Sequence, residues 1–242
     1  MALDPASAVT VSAPTLAPTL APGLAGRRIP FERIPVVDLG GLIDGTDERR
    51  VAAEVARCCT EIGFFYVRNH GIPASMVDAA FAQTRRFFDL PLERKMALHI
   101  KRSRAHRGYF PVFEENTDPK LTADLKEGFD LAREVAESDP RVVAGKPLHG
   151  PNVWPDDLPG FRATIDAYYA ALMRLAGTLM RAFALGLELP PDWFVDKIDD
   201  AMGALRLLHY PPQGGYIKHE TLGCGAHSDY GCLTILAQDA VG

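Results

Sequence analysis

The sequence predicts an α+β protein, with a helix-rich N-terminal region followed by a β-rich one. Three observations predict it. Apolar residues recur at helical spacing in several segments between about residue 46 and residue 198. After residue 199, short apolar runs bounded by Gly and Pro take over. The ordered sequence also opens as strand, helix, strand, helix, a small α/β unit. A chain of 242 residues, 47% hydrophobic and 24% charged, has the composition of a globular protein with ample core.

Residues 1–28, rich in Ala, Pro and Thr with "APTLAPTLAPGL" as an imperfect repeat, read as a disordered tail. Structure is expected to begin at "IPVVDLGGL" (34–42), a short strand broken by Gly-Gly. "TDERRVAAEVARCCTEIG" then reads as a helix, capped by Thr46 or Asp47 and stopped by Gly63. "FFYVRNHGIP" (64–73) is a strand ending in an Asn-His-Gly turn. A second helix follows up to Pro91, with "LERKMAL" as a short continuation.

Between about 100 and 160 the pattern weakens. "HRGYFPVFEENTD" and "LKEGFDLARE" are mixed, and "GKPLHGPNVWPDDLPG" is a long loop of the kind that often wraps a site. A helix spans about 160–188. Asp166, Arg174, Arg181 and Glu188 fall on one of its faces, which makes it an amphipathic core helix and not a membrane span. After a Pro-Pro break and a short helix in "DWFVDKIDD", strands are expected at 204–212 and 232–238, with "QGGY" as a turn between them. The expected division is a tail (1–28), a helix-rich N-terminal region (29–198) and a β-rich region (199–242).

A net charge of −5 argues against nucleic acid or an anionic membrane as partner. The basic cluster "HIKRSRAHR" (99–107) reads as a solvated loop. No signal-peptide pattern opens the chain, so a cytoplasmic location is expected. The four cysteines, Cys58, Cys59, Cys224 and Cys232, form no CxxC, and reduced thiols are expected.

The chemistry concentrates in "GAHSDYGCLTILAQD". In a strand, residues two apart face the same side, so His227 and Asp229 would project an imidazole and a carboxylate into one space. These are two of the three protein ligands of a 2-His-1-carboxylate triad, which suits non-haem Fe(II). An isolated His-x-Asp is more often a surface hydrogen bond. Here an apolar run follows it directly and "RLLHYPPQ" precedes it.

Taken together, "IPVVDLGGL", "GFFYVRNHGIP", "HRGYFPV", "LKEGFDL", "RLLHYPPQ" and "GAHSDYGCLTILAQD" resemble, in order, the isopenicillin N synthase-like Fe(II)/2-oxoglutarate-dependent dioxygenases. The resemblance runs over nearly everything from residue 34 to 242. The "RVVAGKPLHGPNVWPDD" loop (141–157) and "YPPQ" also look, less specifically, like the ethylene-forming branch of that group.

The resemblance implies a double-stranded β-helix, or jelly roll, beginning at about residue 199. It implies Fe(II) held by His227 and Asp229, with 2-oxoglutarate as cosubstrate and O₂ as oxidant. Tyr210 would bind the far carboxylate of 2-oxoglutarate. Arg206, Tyr230 and Tyr109 would meet a small-molecule substrate, with ordinary packing or an ion pair as the competing role. The family's second His ligand and an Arg-x-Ser pair lie well downstream of His-x-Asp, and neither occurs before Gly242. The jelly roll is therefore expected to be incomplete in this chain, and these 242 residues alone are expected to be inactive. Histidines 70, 99, 106, 149, 209 and 219 precede the motif without the context for that role. Hydroxylation is the default outcome, with desaturation, ring closure and ethylene formation open as variants. Two rivals remain: an oxidase of the same fold that uses no 2-oxoglutarate, and a non-catalytic fragment.

Overall fold

A computed structural model describes residues 34–118, 123–212 and 222–240. The tail read over 1–28, the turn at 213–216 and His219 lie outside the described residues.

Strand β1 (Val36–Asp38) pairs in parallel with β2 (Tyr66–Arg68), Val37 opposite Val67. Between them lie a short α1 (Gly40–Ile43) and α2 (Glu48–Glu61). Helix α2 buries Val51, Ala52, Val55 and Cys58, a single stripe at helical spacing. Asp47 occupies its N-cap, but its carboxylate takes the Arg50 guanidinium and not a backbone N–H. Gly63, at φ 87°, ends the helix in the left-handed conformation that glycine adopts without penalty.

Helices α3 (Ala74–Phe88) and α4 (Leu92–Ala97) follow, separated by Pro91. The basic stretch after them is not a solvated loop throughout. Ile100–Arg102 form a 3₁₀ turn, and Arg107 is buried because Ala105, His106 and Leu148 offer their carbonyls to its guanidinium.

The mixed region holds two strands that sequence reasoning left unassigned, β3 (Gly108–Phe110) and β4 (Glu127–Leu131). A short α5 (Pro140–Val143), the long α6 (Phe161–Gly186), α7 (Val195–Ile198) and β5 (Leu205–His209) complete the order. Strands β3, β4 and β5 form one antiparallel sheet with β4 in the centre. This sheet joins chain from before α6 to chain after it.

The expected strand over 232–238 is not formed. A strand exists only as a ladder, and among the described residues no neighbour pairs with this stretch. Leu233 and Ile235 instead rest partly buried against the core beside β1 and α2.

Helix α6, about 39 Å long at 1.5 Å per residue, serves two cores. Its N-terminal half places Phe161, Ile165 and Tyr168 against α3 and the three-stranded sheet. There Phe87 is fully buried, with ring centroids 4.7 Å from Phe129 and 5.5 Å from Phe161. Its C-terminal half places Leu175, Leu179 and Ala182 against Val37, Leu39, Val51 and Val55. Each of the Phe, Ile, Leu and Val side chains among these contributes about 1.5–3 kcal/mol by leaving water. Arg181, on the charged face, reaches Glu48 of α2 at 2.8 Å. No described helix is long and apolar enough to cross a membrane.

Strand β4 is buried along its whole length because its two faces meet different partners. On one face Phe129 and Leu131 join the core. On the other, Gly128 lies under the Phe110 ring, where a Cβ would collide with Phe110 Cζ. Only glycine fits that cross-strand position.

Candidate metal centre

The His-x-Asp segment is held from its N-terminal side. Leu125 N–H donates to the Leu222 carbonyl at 2.9 Å, and Gly225 N–H donates to Asp124 Oδ1 at 3.2 Å. His227 Nδ1 lies 2.8 Å from the Gly225 carbonyl. A carbonyl can only accept, so this contact takes a proton on Nδ1, the arrangement that would present Nε2 to a metal.

Nε2 lies 3.1 Å from Asp229 Oδ1. Two ligands at about 2.1 Å from one ion, on adjacent octahedral positions, stand about 3 Å apart. The pair therefore has the spacing and the donor atoms of two neighbouring ligands, and imidazole with carboxylate suits Fe(II). Among the described residues no third His, Cys, Asp or Glu joins them. Both side chains are about half exposed.

Neither cysteine near the motif faces Nε2. The Cys224 thiol lies 3.7 Å from Nδ1 on the other side of the ring, and Cys232 lies 3.9 Å from Met180 Sδ. All four cysteines are free thiols.

Tyr210 follows β5 directly and packs its ring against Gly223, where a Cβ would sit 2.9 Å from Tyr210 Cδ1. The structure thus places this phenol beside the segment that leads to His227. Partial burial and the nearby Cys224 raise its pKa, which keeps the hydroxyl protonated and able to donate. Tyr230, one residue past Asp229, is fully exposed.

Arg206 stands opposite Asp130 in the β4–β5 ladder and forks onto it at 2.9 and 2.7 Å. It also forks onto Glu115 at 2.9 Å and lies over the Phe110 ring. Two carboxylates thus already engage the guanidinium. Burial raises the Asp130 pKa against the pull of Arg206.

Tyr109 is buried, and its hydroxyl donates to Glu127 Oε2 at 2.6 Å. Glu127 also accepts from Lys95 Nζ at 2.8 Å and meets His209 Nδ1 at 2.8 Å, directly across the ladder. Burial pushes the Glu127 carboxyl up, but the hydrogen bonds from Lys95, Tyr109 and His209 outweigh it and hold the pKa below its ordinary value.

A second buried cluster abuts the metal segment and escaped the sequence reading. Asp124 and Lys126 pair at 2.8 Å with side chains only 2% and 4% exposed. Thr117 donates its hydroxyl to the same carboxylate. The signal was present in "ADLKEGF", where charged residues interrupt a stretch that is otherwise compatible with a buried strand.

Residues 34–157 match the family described as non-haem dioxygenase in morphine synthesis, N-terminal. A 2-oxoglutarate-Fe(II) type oxidoreductase of Aspergillus fumigatus is 36% identical over 202 residues, covering 82% of this chain and 60% of its own length. Among solved structures, a 2OG-Fe(II) oxygenase family protein from Caulobacter crescentus superposes with a TM-score of 0.65 at 29% identity, covering 76% of this chain and 58% of that one. A full-length Neurospora crassa protein solved in complex with alpha-KG gives a TM-score of 0.62 at 30% identity, covering 74% and 54%. The chain belongs to the Fe(II)/2-oxoglutarate-dependent dioxygenase family. It spans between 60% and 66% of the length of the curated relatives it matches.

Proposed function

We propose that this chain carries two of the three protein ligands of an Fe(II)- and 2-oxoglutarate-dependent oxygenase that oxidises a small-molecule substrate, and that the jelly roll begins in its β-rich part. The observation that carries the reading is the convergence of His227 Nε2 and Asp229 Oδ1 at 3.1 Å, with Nδ1 already committed to the Gly225 carbonyl. When bound, iron with 2-oxoglutarate and O₂ as oxidant would supply the oxidising chemistry, one oxygen atom going to succinate as CO₂ leaves and the other being used to oxidise the substrate. The protein's part is to hold and orient.

His227, with Nδ1–H donated to the Gly225 carbonyl, would turn Nε2 to the metal. Asp229 adds one negative charge to a half-exposed site, which favours a divalent cation over a monovalent one. Tyr210, with its protonated hydroxyl, would donate to the far carboxylate of 2-oxoglutarate. Arg206, Tyr230 and Tyr109 remain the candidates for substrate contact. Of these, Tyr230 is the most exposed, while Tyr109 is buried with its hydroxyl on Glu127 and is the least open to a substrate. Relatives named for 2-oxoglutarate and Fe(II), and a neighbour solved with alpha-KG, support the cofactor set.

The test is an Fe(II) titration of the chain and of His227→Ala and Asp229→Ala, joined to a succinate-release assay on the complete protein. Loss of iron binding in both variants and succinate formed with 2-oxoglutarate is the expected result. Unchanged iron affinity in both variants would sink the ligand assignment. Substrate oxidation without succinate would point to an oxidase of the same fold.

A further inference from the structure

The buried Asp124–Lys126 pair is not accounted for by the ligand assignment, yet it is tied to it through one residue. Asp124 Oδ1 accepts the Gly225 N–H at 3.2 Å, and the Gly225 carbonyl accepts His227 Nδ1–H at 2.8 Å. The other carboxylate oxygen takes Lys126 Nζ at 2.8 Å and the Thr117 hydroxyl and N–H. Lys126 in turn reaches Glu115 Oε2 and Cys224 Sγ, both at 3.3 Å. The main chain of Asp124 is clamped as well, since its N–H donates to the Glu115 carbonyl at 2.8 Å and its own carbonyl accepts Phe113 N–H at 3.1 Å.

Gly225 has no side chain to fix its backbone, and glycine is the residue with most conformational freedom to lose. Two contacts seat it instead: Asp124 Oδ1 holds its N–H, and its Cα lies against Asp118, where a Cβ would sit 2.9 Å from Asp118 Cβ, so the residue that carries the carbonyl is held on two sides. A buried ion pair is a poor device for stability alone, because well-packed apolar side chains serve as well or better. Its value here is directional: it presents one carboxylate oxygen at a fixed place.

We propose that Asp124, braced by Lys126 and Thr117, is a positioning residue for the metal ligand His227, acting through the N–H and carbonyl of Gly225. The proposal rests on the reading of His227 as a ligand. Groups that orient a ligating histidine are worth on the order of 10-fold to 100-fold in metal affinity. Acting one residue further out, Asp124 is expected at the lower end.

The experiment titrates Co(II) alone into the chain and follows its visible absorption per bound ion, which reports ligand geometry. The variants are Asp124→Asn, Asp124→Ala, His227→Ala and, as a core control, Leu207→Ala. In Asp124→Asn, Lys126 claims the amide oxygen and the amide –NH₂ faces the Gly225 N–H, so the acceptor is lost at nearly constant volume. Both Asp124 variants are expected to bind Co(II) on the order of 10-fold more weakly and with an altered spectrum. Leu207→Ala is expected to lower the melting temperature while leaving affinity and spectrum unchanged. If Asp124→Ala does not fold, Asp124→Asn decides the matter. Wild-type affinity and spectrum in Asp124→Asn, with binding lost in His227→Ala, would overturn the positioning role and leave the ligand reading intact. An equal loss in Leu207→Ala would reduce Asp124 to a structural residue. Wild-type affinity in His227→Ala would overturn the ligand reading and this proposal with it.

Discussion

Glu127 shows how much a single buried carboxylate can hold in place. It sits between a strand and a helix, with Lys95, Tyr109 and His209 all directed at its two oxygens. Glu127→Gln would leave the Lys95 ammonium, 8% exposed, without a counter-charge. Breaking a buried pair from one side costs about 3–5 kcal/mol, measurable by urea denaturation. The pH dependence has a definite sign. The folded pKa lies below the unfolded one, so the stabilisation is full at neutral pH. It is lost as pH falls through the ordinary glutamate range near 4.5 and on to the folded value. The variant is expected to lose this part of its acid sensitivity, seen as a flatter stability profile below about pH 5.

At the same scale, the closeness of His227 and Asp229 was legible from their spacing, although the stretch that carries them is not the strand expected and a local turn of chain brings Nε2 within 3.1 Å of Oδ1. Asp124 was not legible. Its role depends on a contact across about 100 residues of chain, from Asp124 to Gly225, and no local pattern marks such a pair.

Among the elements, β4 explains where local reasoning failed. Both of its faces are covered, so the alternation that marks a half-buried strand is absent, and Glu127 and Asp130 make it look solvated. Helices α2, α3 and α6 were legible within a few residues because each packs a single apolar stripe. The run 232–238 misled in the opposite sense: "CLTILAQ" has strand composition, but composition does not supply a partner.

The tight seat of Phe110 on Gly128 gives a prediction at this scale. Gly128→Ala is expected to destabilise by about 1–3 kcal/mol through overpacking. Phe110→Ala should remove most of that penalty, so the double variant should lose clearly less stability than the two single losses combined. Thermal denaturation of the four proteins measures it, and strict additivity would show that the ring does not contact the glycine.

For the molecule as a whole, α6 is the member shared by both cores, and its apolar and charged faces carry unequal weight. Leu179→Ala, at the α2 contact, is expected to cost about 2–5 kcal/mol. Arg181→Ala breaks a partly exposed ion pair with Glu48 and is expected to cost about 1 kcal/mol or less. The chain should also lose both cores in one step: Phe87 in one and Val55 in the other lean on the same helix. A fluorescence transition at Trp154, beside Phe161, and the far-UV circular dichroism transition should then coincide.

A helix gripped at both ends by separate cores has a further consequence for isotope exchange. Opening the half near Phe161 leaves the half near Leu179 anchored, so no partial opening frees the middle turns. Deuterium uptake at the amides around Ala171 and Leu175 should therefore be governed by global unfolding. These should be the slowest positions in the described chain, and their free energy of exchange should equal the stability measured in urea.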